Sequence, residues 1–208
     1  MTQFEQLCDE LHQVVTFQIK FKDESWEMQV LNVFIVWFNP NFMTSFTTVI
    51  GNTIYFPTQS YIAHNPQSAM RTLAHETVHL LDAEEHGYVR FSLSYLFPQI
   101  LASGVLLFPF IGLYSLLFLL FLLPIPAPLR AKYEARAYAI DVLTSLPSQR
   151  SDAIERIVDL FEGWDYYRMF PFREQTEEQL MHWVQEAEAG RDPSLMRVLL
   201  VYEMVADQ

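Results

Sequence analysis

The sequence predicts an α+β protein: a small N-terminal sheet, a helix carrying the motif His75-Glu76-Thr77-Val78-His79, a later helix carrying Glu134, a hydrophobic helical hairpin inserted between those helices, and a helical C-terminal part. Three observations predict this. Residues 17 to 56 contain short runs of strand periodicity and a Gly51-Asn52 turn signal. The HExxH motif lies between helix start and stop signals. Residues 91 to 129 contain no Asp, Glu, Lys, Arg or His.

Thr2 to about Gln13 is amphipathic and reads as a leading helix. Phe17, Ile19 and Phe21 alternate with Gln18, Lys20 and Lys22, the period of a half-buried strand. Gln29 to Phe38 is rich in Val, Ile, Phe and Trp and reads as a buried strand. Thr44 to Ile50 and Thr53 to Phe56 flank Gly51-Asn52, a two-residue hairpin. Asn65 is a good N-cap, Pro66 suits the first helical position, and Gly87 suits a left-handed stop. Between them Leu73, Ala74, Val78, Leu80 and Leu81 make the helix apolar on most sides, so it is expected to be buried. A buried helix with two histidines and a glutamate must satisfy them, and a metal does so most simply.

On that helix His75 and His79 are four residues apart and share a face, so both imidazoles can reach one zinc ion. Glu76 can accept the proton of a water activated there. Two neutral nitrogens leave a divalent ion mostly uncompensated, which calls for a third, anionic ligand. His86, seven residues past His79, shares the face, but at the Gly87 terminus it reads as a C-terminal histidine meeting the helix dipole. Glu134, in the helix-forming and alanine-rich run Tyr133 to Ala139, is the better candidate.

Phe108-Pro109-Phe110-Ile111-Gly112 divides the uncharged stretch, and Leu113 to Leu123 is almost entirely Leu and Phe. One crossing needs about 20 apolar residues, so the stretch is too long for one straight span and suits two short ones turning near Pro109 and Gly112. A single crossing would separate the histidines from Glu134, so the site requires an even number of crossings or a hairpin that dips in and returns. Arg90 before the stretch, with Arg130 and Lys132 after it, places both ends in the cytoplasm. A hydrophobic hairpin buried in a dimer interface or in a large core is the other reading.

Ser148 to Phe161 is amphipathic, Thr176-Glu177-Glu178-Gln179 reads as a capping box opening a helix to about Ala189, and Pro193 opens a last helix with Leu195, Val198, Leu199 and Tyr202 on its apolar side. The aromatic run Gly163 to Pro171 reads as a core plug whose phenols could reach the metal site.

These residues resemble the gluzincins, zinc metallopeptidases in which a glutamate on a later helix completes a His-His-Glu site. The metzincin pattern fails, because positions 82 and 85 hold Asp82 and Glu85. Glu134-x-x-Ala137-Tyr138 is similar to the family's Glu-x-x-Ala-Asp pattern, with Tyr138 where relatives carry a ligand-orienting acid; Asp141 or Asp82 could take that role. A hydrophobic hairpin between HExxH and the glutamate looks like the integral-membrane heat-shock and CaaX-prenyl-protease group, although residues 1 to 65 contain none of the membrane helices those proteins carry before the motif. The resemblance implies a zincin-like core and peptide hydrolysis, with Zn2+ on His75, His79 and Glu134, Glu76 as general base, and an oxyanion donor among Tyr138, Tyr61, His64 and Tyr166. It also implies that an edge strand binds substrate by strand addition, for which the 44–56 hairpin is the candidate.

The segments are residues 1–90 with the sheet and HExxH helix, 91–129 as membrane hairpin, and 130–208 as glutamate-ligand helix and helical end of the same domain. A net charge of −12 argues against nucleic acid. No basic start and apolar run marks a signal peptide at Met1-Thr2-Gln3-Phe4-Glu5. The single Cys8 excludes an internal disulfide. The expected partners are a peptide or protein substrate, membrane lipid along 91–129, and a second copy of the chain if the hairpin serves oligomerisation. Two alternatives stay open: a membrane-attached binding module without turnover, and a soluble oligomeric metallopeptidase.

Overall fold

A computed structural model describes residues 1–36 and 39–207. The chain is mostly helical with one three-stranded sheet, an α+β arrangement. Helix α1 (Gln3–Leu11) opens with a capping box, the Thr2 hydroxyl and Glu5 carboxylate each meeting the other's backbone N–H. Strand β1 (Gln18–Phe21) follows, then α2 (Trp26–Ile35), β2 (Thr48–Ile50) and β3 (Thr53–Phe56). The sheet order is β1-β3-β2, with β1 parallel to β3 (Gln18 opposite Thr53, Phe21 opposite Phe56) and β2 antiparallel to it. Gly51, at φ 61°, makes the expected turn.

The strand expected over Gln29 to Phe38 is a correction: residues through Ile35 form α2, while Trp37 and Phe38 lie outside the described residues. Met28, Leu31 and Ile35, at near-helical spacing, pack with Phe42 and Tyr55 beside the sheet. That stripe outweighs the β-branched content of the segment.

Helices α3 (Gln59–His64) and α4 (Pro66–His86) meet at Asn65, whose N–H ends α3 on the Tyr61 carbonyl at 3.0 Å. Asn65 makes no side-chain cap bond, contrary to expectation; its backbone, at φ −132° and ψ 56°, lies outside the extended region usual for an N-cap. Gly87 stops α4 at positive φ, 83°, with an extended ψ of 131° in place of the left-handed helical one. After α5 (Tyr88–Leu96), the apolar run forms two 3-10 legs, Gln99–Leu107 and Gly112–Leu122, joined by the short α6 (Phe108–Ile111). By length and composition Gln99–Leu122 is apolar enough to cross a membrane. It does not run straight: Gly112, at φ 57°, reverses it, and the legs pack together so closely that a Cβ on Gly104 would lie 2.5 Å from the Phe118 ring. At about 2 Å rise per residue the legs reach roughly 20 Å, short of the ~30 Å hydrocarbon core.

Helix α7 (Pro128–Leu143) carries Glu134; α8 (Arg150–Glu162), α9 (Arg173–Glu188) and α10 (Pro193–Ala206) complete the chain. Helix α9 starts three residues before the expected capping box. Thr176 lies inside it and bonds back to the Phe172 carbonyl at 3.1 Å. One core joins α1, β1, β3, α4 and α7 to α10, with Met169 and Phe170 as the expected aromatic plug.

Lys22, just past β1, is fully buried, its ammonium 2.7 Å from the Phe42 carbonyl oxygen and 3.8 Å from that ring's centre. Burial pushes its pKa down to about 8, and the charge of Glu76 offsets this only in part. The unfolded chain therefore holds this proton more tightly than the folded one, so the penalty is full below pH 8 and disappears as pH rises toward the unfolded value. Comparing urea unfolding of wild type and Lys22→Met at pH 7 and 10.5, we expect wild type to gain about 3 kcal/mol relative to the variant. Parallel pH profiles would contradict a buried, neutralising lysine.

Candidate metal centre

Helices α4 and α7 run antiparallel: His75 meets Asp141, His79 meets Glu134, and the His86 ring lies against Tyr133 near the far end. His75, His79 and Asp82 fall at i, i+4 and i+7 on α4, as Glu134, Tyr138 and Asp141 do on α7, so each set makes one stripe. Ala131, Ala135 and Ala139 on α7 are fully buried, small side chains that suit close helix packing.

One ligand atom from each of His75, His79 and Glu134 lies within 4.8 Å of the other two. Oε2 of Glu134 is 3.4 Å from His75 Nε2 and 3.8 Å from His79 Nε2, and the imidazoles stand nearly perpendicular, 4.9 Å apart. All three side chains are buried. His79 Nε2 and Glu134 Oε2 have no hydrogen bond of normal geometry among the described residues. Such orphaned polar atoms are costly. A cation where they converge satisfies them, and two imidazoles with one carboxylate are a donor set suited to zinc with a position left open.

Oδ2 of Asp141 lies 3.5 Å from His75 Nδ1, so Asp141, one of the two acids proposed for the task, faces the ring's far side. Asp82 is engaged elsewhere, 2.6 Å from Nη1 of Arg136. Burial disfavours a charged His75, but Asp141 and Glu134 outweigh it and push its pKa up to about 10. Burial would raise Glu134, yet His75 and His79 hold it well below the usual carboxylate range. Glu76, beside His75 in sequence, is half-buried, and burial raises its carboxyl.

Tyr138 is half-buried, its ring edge-on to His75 at 4.4 Å and its hydroxyl bonded to that of Tyr166. Tyr166, from the aromatic run, therefore does reach the site. Tyr61 and His64 are bonded within the α3–α4 segment, to Ser68 and to the Ser60 carbonyl. His86 is exposed, and its Nδ1 lies 3.0 Å from the Asp82 carbonyl oxygen in the last turn of α4, as expected of a C-terminal histidine.

Two residues at the site escaped sequence reasoning. The Tyr95 hydroxyl donates to Glu134 Oε1, and the Arg130 guanidinium lies over the Tyr95 ring at 5.0 Å and over Tyr166 at 5.6 Å. Arg130 precedes Glu134 by one helical turn, a spacing visible in the sequence. Tyr95 carried no such signal within its apolar stretch.

The chain matches no protein-family model, no curated protein and no solved structure.

If these three residues form the centre, purified protein should carry one zinc per chain. His79→Ala should abolish tight binding, and His86→Ala should leave it intact. Elemental analysis finding full zinc in the His79 variant would refute the ligand set.

Proposed function

We propose that the chain is a zinc metalloendopeptidase of the gluzincin kind, with a zincin-like core attached to a membrane by its apolar hairpin. The convergence of His75, His79 and Glu134 on one buried point, with polar atoms left unpaired there, carries the reading. Zinc, when bound, supplies a Lewis acid that lowers the pKa of water toward neutrality and polarises a peptide carbonyl. Glu76, next to His75 on α4, accepts the proton of the attacking water and returns it to the leaving nitrogen. The linked hydroxyls of Tyr138 and Tyr166, beside His75, supply a donor for the developing oxyanion.

Two cavities adjoin the site and give substrate side chains a place. One of about 220 Å³ is lined by Arg130, Tyr166, Trp164 and the hairpin residues Gln99 and Leu122. The other, about 380 Å³, includes Tyr138 and Asp141. Since β3 is the central strand, β2 is the part of the 44–56 hairpin that offers a free edge for an extended peptide.

The membrane part of the reading rests on the hairpin surface. Leu106, Phe110, Leu113 and Tyr114 are each at least 74% exposed, and Leu117 and Leu120 are more than half exposed. So large a contiguous apolar surface is rare on a soluble monomer. Legs of roughly 20 Å suit an element that enters lipid and returns. The exposed Arg90 and Lys132 then favour the cytoplasmic face, whereas Arg130 is turned inward.

Glu76→Gln should keep zinc and lose peptidase activity by orders of magnitude. A wild-type protein that holds zinc yet cleaves nothing in a broad peptide and membrane-protein screen would instead favour a binding module without turnover.

For the hairpin, reporter fusions after Gly87 and after Arg130 should report the same side, and the protein should resist carbonate extraction. Leu117→Arg, costing roughly 2.5–3.5 kcal/mol at full depth, should weaken retention. A monodisperse, detergent-free oligomer would contradict membrane attachment and leave the zinc chemistry untouched.

A further inference from the structure

The Glu134 carboxylate is divided between two sets of partners. Oε2 faces Nε2 of both histidines and has no other partner among the described residues. Oε1 accepts the Tyr95 hydroxyl hydrogen and lies 4.0 Å from Nε of Arg130. The Tyr95 ring also meets the His79 ring edge-on, 5.7 Å between centres. One tyrosine thus touches two of the three candidate ligands. It comes from α5, the helix that leads into the apolar hairpin, and the Arg130 guanidinium lies over its ring at 5.0 Å.

A carboxylate with one oxygen held by an O–H donor has only the other free to meet a cation at close range. Without that donor both oxygens can turn toward the ion. A glutamate bound through two oxygens would fill the position that a catalytic zinc site keeps open. Groups that hold a ligand from behind in this way commonly change metal affinity when removed.

We propose that Tyr95 is a positioning residue of the metal site, restricting Glu134 to single-oxygen ligation through Oε2 and so keeping a coordination position open. This rests on the zinc reading of His75, His79 and Glu134, and extends it to a residue outside the ligand set. It also makes the first helix of the hairpin segment part of the metal site.

Tyr95→Phe removes the hydroxyl and keeps the ring that packs on His79 and under Arg130, so the fold is preserved. Two readouts independent of turnover apply: zinc affinity by chelator competition, and the visible spectrum of the cobalt(II)-loaded protein, which is intense for four-coordinate cobalt and weaker at higher coordination. Without the hydroxyl the Glu134 carboxylate is no longer held in place before the ion arrives, and we expect this lost ordering to outweigh the added oxygen contact, so that the variant binds zinc 10- to 100-fold more weakly, as when other groups that support a ligand are removed. Its cobalt spectrum should lose intensity as Glu134 turns both oxygens inward. Zinc affinity within twofold of wild type together with an unchanged cobalt spectrum would overturn the role of Tyr95. Glu134→Ala separates the two claims. If wild type binds one zinc and Glu134→Ala loses it, the site stands whatever Tyr95→Phe shows. If wild type binds neither zinc nor cobalt, the site fails and the role of Tyr95 with it.

Discussion

Two antiparallel helices that bring imidazoles from one side and a carboxylate from the other must be held in a single register. A slip of one residue between α4 and α7 would shift the stripes by 1.5 Å and rotate them by about 100°, scattering the three candidate ligands. Arg136, two residues past Glu134, opposes such a slip. Its guanidinium is 2.6 Å from Asp82 on α4, and it makes two contacts with Asp192, at 2.7 and 2.9 Å, and one with Ser194 at 2.7 Å. Asp192 in turn caps α10 through the Leu195 N–H at 3.0 Å. One buried cation therefore ties three helices together. Such a group adds little net stability over an apolar core, yet removing one partner costs on the order of 3–5 kcal/mol because the others are left charged and unpaired.

Burial gives the site its chemistry and couples it to the hairpin. Among apolar walls the two histidines, Glu134 and Glu76 act on one another more strongly than they would in water. The hairpin is fastened on both sides of that pocket. Tyr95 leads into it, while the Tyr167 hydroxyl on the Leu122 carbonyl and Gln99 on the Ile125 carbonyl hold its base. Whatever surface the exposed leucines and phenylalanines enter, the site is set at a fixed place beside it.

The parts legible in the sequence were those governed by local rules. Alternation placed β1, Gly51-Asn52 placed the β2–β3 turn, and helical spacing put His75 and His79 on one face. Glu134 followed from charge balance and family likeness, and the uncharged run with its Pro109 and Gly112 break announced a hairpin. The failures have a common physical source. The segment at 29–35 has strand-like composition, but its helical stripe meets Phe42 and Tyr55 only in three dimensions. Thr176 looks like a cap until the turn before it proves helical. Tyr95 sits in a run where composition gives no hint that one hydroxyl will meet a carboxylate 39 residues away. Asp141 lies beside His75 while Arg136 claims Asp82, a placement that spacing alone does not reveal.

The convergence of His75, His79 and Glu134 on one zinc ion is tested most directly by X-ray absorption at the zinc edge of the purified full-length protein. The account predicts two imidazoles and oxygen ligands within 2.0–2.2 Å, four-coordinate, and no sulfur shell near 2.3 Å. A protein that takes up no zinc, or whose zinc lacks the paired imidazole signature, would contradict it.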